Sequence, residues 1–254
     1  MMPLYVPLYV FSDKCSPNAC ITEILLPENS HMDVAFLLDN SENIAKDEFK
    51  AMKDLVSSML DNFNIASDPL ISDSGDRIAL VTYSPWDGSR RKKGAVRTEF
   101  GFTTYNNQVL MKSHIQNSLQ QLNGKATIGH ALLWTLENLF PKAPNLRKHK
   151  FIFVVSAGEN HERRELLKKV ALRAKCQGYV MFVISLRSPH EDNLEELASY
   201  PLDHHLIQLG RIHKPDLDYI VKFLKPFVYM VRRESLFCFS CWFEQISLLI
   251  MLIT

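Results

Sequence analysis

Short apolar runs alternate along this chain with stretches in which apolar side chains recur every three or four positions. Met32-Asp-Val-Ala-Phe-Leu-Leu-Asp39 is too uniformly apolar to alternate faces, so it reads as a strand covered on both sides, as in a parallel sheet. Arg77 to Ser84, Phe151 to Val155 and Tyr179 to Ile184 read the same way. Val96 to Phe102 alternates and fits an edge strand paired as a hairpin, and His205 to Leu209 fits a second edge strand. Between them, Asp47 to Phe63 places Phe49, Met52, Leu55, Val56, Met59, Leu60 and Phe63 on one helical stripe. Further helices are predicted over Asn107 to Leu122, with Val109, Leu110, Ile115, Leu119 and Leu122 inward, and over Ile128 to Phe140. Glu162 to Gln177 is a helix closed by Gly178, Leu194 to Ser199 a short one, and Pro215 opens a last helix to about Met230. The order predicts an α/β fold: a doubly wound, mostly parallel six-stranded sheet with one antiparallel edge strand and helices on both faces.

Flanking this core are two stretches without such a pattern. Residues 1–31 form an irregular lead-in, residues 32–233 the domain, and residues 234–254 an apolar tail that does not belong to it. The lead-in opens on an apolar stretch that lacks a basic segment and carries two prolines, so it is a poor secretory signal. The tail is long enough to span a bilayer, but Glu244 and Gln245 interrupt it, and apart from this tail no membrane association is expected.

Composition narrows the function. Apolar residues make up 46% of the chain, enough for a core, and a net charge of +1 gives no bulk electrostatic case for nucleic acid. Arg90 to Lys93 and Arg147 to Lys150 are local basic runs that fit the rim of a protein–protein contact. The five cysteines do not have zinc spacing: Cys15 and Cys20 can close a small loop in an oxidising compartment, Cys238 and Cys241 lie in the tail, and Cys176 reads as a packed free thiol. His204-His205 has no partner at zinc spacing and reads as structural.

Chemistry is expected where the parallel strands end. Asp39 closes the first strand, Ser41 and Asn43 follow at alternate positions, and the loops 124–129 and 156–160 should meet them at the carboxyl edge. No glycine-rich phosphate cradle follows the first strand. Val154-Val-Ser156-Ala-Gly158 lacks one elbow glycine of a serine hydrolase. A hydrolase or phosphotransferase using Asp39 or Ser156 is the competing class, and Ala157 supplies neither a base nor a second carboxylate for it. A purely structural alternative has Ser41 or Asn43 capping the next helix and Asp39 accepting from backbone N–H groups.

Asp39-x-Ser41-x-Asn43 resembles the D-x-S-x-S opening of the von Willebrand factor type A domain. So do the loop Gly124-Lys-Ala-Thr127-Ile-Gly-His-Ala-Leu132, the turn Val154-Val-Ser-Ala-Gly158 and the step Lys175-Cys-Gln-Gly-Tyr-Val-Met-Phe-Val-Ile184. Within that family, Lys14-Cys-Ser-Pro-Asn-Ala-Cys20, Ser84-Pro-Trp86, Thr127 to Trp134 and Leu197 to Leu202 are similar to the A-type modules of collagen VI alpha chains, of the longer alpha-4, alpha-5 and alpha-6 type. The resemblance implies a fragment of such a chain: a secreted, non-enzymatic extracellular matrix module that binds other collagen VI chains or matrix proteins and contributes to microfibril assembly or adhesion. An alternative is a vestigial module with no function of its own. The family holds one divalent cation on oxygen ligands at this edge, a set that suits a hard ion. Carried over residue by residue, the ligands are Asp39, Ser41, Asn43 in place of a serine, and Thr127, one position from the usual threonine. Ala157 replaces the expected aspartate. The resemblance therefore implies a degenerate site with no cofactor, or with weakly bound magnesium or manganese.

Overall fold

The computed structural model describes residues 31–41, 43–83, 96–121, 127–157, 162–186, 193–200 and 202–209. Six strands form one sheet: β1 Met32–Asp39, β2 Arg77–Tyr83, β3 Val96–Phe100, β4 His149–Ser156, β5 Val180–Ser185 and β6 Leu206–Gln208, in the spatial order β3-β2-β1-β4-β5-β6. All neighbours pair in parallel except β2 with β3, whose antiparallel ladder shifts register between Leu80 and Val81. β1 is therefore the central strand from which the chain winds both ways, as predicted. The helices are α1 Lys46–Met59, α2 Gln108–Asn117, α3 Ile128–Trp134, α4 Arg164–Cys176 and the single turn α5 Leu202–His205.

Side chains from successive positions of β1 feed two separate cores. Val34, Phe36 and Leu38 pack with the apolar stripe of α1 and with Met111 and Ile115 of α2. Ala35 and Leu37 pack with Ile128, Ala131 and Leu132 of α3 and with Leu167, Val170 and Ala174 of α4. Phe36 stacks on Phe153 at 5.2 Å and Phe153 on Phe182 at 4.8 Å, so aromatic rings tie β1, β4 and β5 across one face.

Several boundaries differ from the sequence reading, each for a local reason. α1 stops at Met59 and passes into a 3₁₀ turn over Leu60–Asn62, yet all seven residues of the predicted stripe are buried. α2 is shorter than expected, and its inward face is Met111, Ile115 and the following Leu119; Val109 (74% exposed) and Leu110 (47%) point to solvent, a correction to the predicted face. The segment expected as one helix to Phe140 widens to a π-helical stretch over Thr135–Leu139, where the Thr135 hydroxyl donates to the Ala131 carbonyl. Leu194–Glu196 is a 3₁₀ turn rather than a helix to Ser199, and His205 ends α5 rather than opening β6. The helix expected from Pro215 and the basic run Arg90 to Lys93 lie outside the described residues.

The amino end of the sheet is locked by buried charge. Arg77, 1% exposed, makes a two-pronged bond to Asp33 (2.7 and 2.9 Å) and donates to the Pro69, Pro144 and Asn145 carbonyls. Arg147 is also buried: its backbone N–H donates to Asp33 and its guanidinium to the Gly75, Ser72 and Ser74 carbonyls. Burial and the neighbouring Arg77 push its pKa down from the usual arginine value. Arg147 is thus a structural clamp and not the rim charge expected from its place in a basic run; Lys148, beside it, is exposed. Gly75 adopts φ +82° in this loop, and a Cβ there would lie 2.4 Å from the Ala66 Cα, so only glycine fits.

Candidate functional site

The carboxyl ends of β1 and β4 bring Asp39 and Ser156 together. Asp39, the last residue of β1, is fully buried. Its Oδ1 accepts from the Ser41 backbone N–H at 3.0 Å, and its Oδ2 accepts from the Ser156 hydroxyl at 3.0 Å. The loop after β1 is braced from both sides. The Asn40 N–H donates to the Tyr83 carbonyl at 3.1 Å and its side-chain amide to the Gln120 carbonyl at 2.8 Å. Gln121 donates to the Ser41 and Ile44 carbonyls at 3.1 and 2.6 Å, so the residues just after α2 fix the turn that carries Ser41.

Two hydroxyls are buried without a hydrogen-bond partner: Ser41 Oγ, just after β1, and Thr127 Oγ1, just before α3. An unpaired buried hydroxyl is costly, so such atoms mark places built to meet something further. Thr127 immediately precedes α3, with φ −135° and ψ 71°, and its side chain does not cap the helix. That task falls to Glu162, whose carboxylate accepts from the Gly129 and His130 backbone N–H groups and from the His130 ring. A carboxylate at a helix N-terminus meets the orphan N–H groups and the positive end of the dipole. Sequence reasoning assigned Glu162 to the start of the next helix and missed this bridge. Its signal is faint: an acidic residue beside the third loop, and a second-loop helix without an acidic first turn.

Asn43 is exposed on the turn before α1. Neither it nor Ser41 is the N-cap of α1. The cap position is Ala45, whose N–H donates to Glu48 Oε2 at 3.0 Å, so the purely structural role considered for Ser41 and Asn43 does not hold. The expected contact of Asp39 with a backbone N–H does hold, through Ser41. Ala157 follows Ser156 and is 1% exposed, which places a methyl group where a second carboxylate was expected. Loop residues 122–126 and 158–161 lie outside the described residues. Among the described residues, no group of three or more His, Cys, Asp or Glu side chains is placed to hold a metal ion, and no helix is long and apolar enough to cross a membrane.

The donor set tests a cation directly. One buried carboxylate, two unpartnered hydroxyl oxygens and an amide oxygen in the adjacent turn are all hard donors, which fits magnesium or manganese in kind. Their charge sums to that of one carboxylate, and both its oxygens already accept hydrogen bonds from the protein. In type and charge, these donors suit at most a weakly held ion.

Cys176, at the end of α4, is disulfide-bonded, which corrects its reading as a free thiol; the other four cysteines lie outside the described residues. Its neighbour Lys175 is buried and donates to the Glu196 carbonyl at 2.9 Å, and burial lowers its pKa to about 8.

Comparison with known proteins agrees with this fold. Residues 33–216 match the von Willebrand factor type A domain. The chain is 76% identical over 221 residues to the human collagen alpha-5(VI) chain, covering 87% of this chain and 8% of that one. It is 52% identical to the human collagen alpha-6(VI) chain, covering 87% and 10%, and 26% identical to mouse cochlin, covering 68% and 28%. The chain thus spans about a tenth or less of the length of the collagen relatives it matches. Two solved structures share its fold. Proximal thread matrix protein 1 of the mussel byssus, with a zinc-occupied MIDAS motif, superposes with a TM-score of 0.61 at 19% identity, covering 82% of this chain and 48% of that one. Manganese-loaded TRAP of Plasmodium vivax gives 0.57 at 11% identity, covering 79% and 74%.

Proposed function

Since this chain belongs to the von Willebrand factor type A domain family, we propose that it is a non-enzymatic extracellular matrix module that binds other collagen VI chains or matrix proteins through the carboxyl edge of its sheet, with a metal contribution that is weak and dispensable. The observation that carries this reading is the state of Asp39: a buried carboxylate that accepts from the Ser41 N–H and the Ser156 hydroxyl, with Ala157 next to Ser156. The collagen alpha-5(VI) and alpha-6(VI) relatives supply the matrix setting. The disulfide at Cys176 fits an oxidising compartment such as the extracellular space.

Asp39, Ser41, Asn43 and Thr127 are the residues that would hold a cation, and a bound ion would offer an open coordination position to a partner carboxylate. With Ala157 in the third loop, most of the contact comes instead from surface complementarity around the edge. Burial also argues against catalysis. Ser156 is 1% exposed and its hydroxyl donates to a fully buried Asp39, so neither group is presented to a substrate.

A solid-phase binding assay on collagen VI microfibrils tests the reading. Binding is expected to be saturable and to change less than twofold between chelator and millimolar manganese. Loss of binding in chelator overturns the metal-independent mechanism, and absence of saturable binding under both conditions overturns the function.

A further inference from the structure

Edge strand β3 and helix α2 enclose a pair of polar atoms that the carboxyl edge does not use. The β2–β3 ladder pairs Phe100 with Leu80 and Thr98 with Val81, and its register shift leaves Glu99 without an opposite residue. A bulge of this kind re-aims a side chain. The Glu99 side chain turns inward and is only 3% exposed, although Arg97 and Thr98 before it face solvent. Its Oε1 accepts from the Thr82 hydroxyl at 2.8 Å. His114 of α2 approaches the same carboxylate. Its Nδ1 lies 2.9 Å from the Tyr105 hydroxyl, and its ring meets Phe100 and Tyr105 edge-on. His114 Nε2 then stands 3.5 Å from Glu99 Oε2. Both atoms are buried, and neither has a hydrogen-bond partner among the described residues. A charge-assisted N–H···O bond closes to about 2.7–2.9 Å, so this pair is held too far apart to make one.

We propose that Glu99 Oε2 and His114 Nε2 are two ligands of a zinc-class dication, at a site separate from Asp39 and the carboxyl edge. The separation fits: tetrahedral zinc with N and O bonds of about 2.0–2.2 Å sets two such donors about 3.4 Å apart. The donor types fit as well. Imidazole selects zinc and its transition-metal neighbours over magnesium, and the carboxylate supplies negative charge. Each ligand also has a second bond that sets its direction. With an ion on Nε2, the Nδ1–H donates to the Tyr105 oxygen, and the Thr82 hydroxyl holds the other carboxylate oxygen. An ion removes the cost of two unpaired buried polar atoms. Water completes the coordination once Arg97 moves aside. Arg97 is the cation beside the site, with Nε 3.4 Å from Glu99 Oε1, and its 63% exposure lets it swing into solvent. The bound ion clamps β3 to α2, and the residues after α2, Gln120 and Gln121, brace the Ser41 turn. The inference does not rest on the proposed matrix function.

Zinc titration of the 254-residue chain, with the histidine ring nitrogens followed by 15N NMR, tests the proposal. The His114 Nε2 resonance should move saturably with zinc while Nδ1 keeps its proton, and magnesium should leave both unmoved. Glu99→Gln should weaken zinc binding at that signal at least tenfold, Arg97→Ala should tighten it, and Asp39→Ala should change it less than twofold. Thermal unfolding supplies an independent measurement: zinc should raise the melting temperature of the native chain more than that of His114→Gln, because an ion held only by the folded state stabilises it. A His114 signal that millimolar zinc does not move, equal affinity in Glu99→Gln, or loss of the shift in Asp39→Ala overturns the proposal.

Discussion

At the scale of single residues, the two ends of β1 carry buried acids with different work. Asp33 at the amino end serves two arginines and is a fold determinant; Asp33→Ala leaves Arg77 buried and unpaired and should cost about 3–5 kcal/mol in denaturant unfolding. A loss below 1 kcal/mol would show that water replaces the carboxylate. Asp39 at the carboxyl end organises the Ser41 turn; Asp39→Ala should cost about 1–3 kcal/mol by orphaning the Ser41 N–H and the Ser156 hydroxyl. Unchanged stability would mean that these bonds do not form in solution. The importance of Asp39 was legible from the sequence because a carboxylate ends an apolar run. The role of Arg147 was not, because a basic run looks the same whether it is solvated or its first member folds inward onto loop carbonyls. Glu162 was hidden for a similar reason: its partners, Gly129 and His130, are distant in sequence.

At the scale of elements, periodicity predicted existence and type well and boundaries less well. β1, β2, β4 and β5 stand out because both faces are covered and their middle positions are mostly apolar. α2 misled because Val109 and Leu110 fit a helical stripe in sequence, while the observed inward positions are one and five residues beyond Leu110. Loops hold the sharper constraints. Gly75 and Gly178 both have positive φ, but only at Gly75 would a Cβ meet backbone; Gly75→Ala should therefore destabilise by more than Gly178→Ala, which carries only the left-handed backbone cost of about 1–2 kcal/mol. Equal effects in thermal unfolding would show that the loop yields. The last turn of α4 carries Lys175, whose pKa of about 8 lies below the unfolded lysine value. Between about pH 8 and 10.5 the unfolded chain binds more protons than the native one, so Lys175 adds stability as pH rises through that window. The native chain should gain stability relative to Lys175→Met from pH 8 to 10.5; parallel stability curves would contradict the buried placement.

At the scale of the whole molecule, the sheet separates two surfaces. The carboxyl edge holds Asp39, Ser41 and Ser156, and the amino end holds the buried arginine lattice beneath a row of exposed apolar side chains. The doubly wound fold was legible because strand and helix periods alternate in the order that such a sheet requires. The reading of its edge as a cation site came only through the family resemblance, since composition and spacing alone left a cap, a nucleophile and a cation ligand all open. The central claim is that Ala157, which removes a carboxylate, weakens a cation site at this edge more than Asn43 and the displaced Thr127 do. Calorimetric titration of manganese into the native chain and into Ala157→Asp tests it most directly. The native chain should bind in the millimolar range or more weakly, and the variant at least tenfold more tightly, with the gain abolished by adding Asp39→Ala; micromolar binding by the native chain, or no gain in the variant, would contradict the claim.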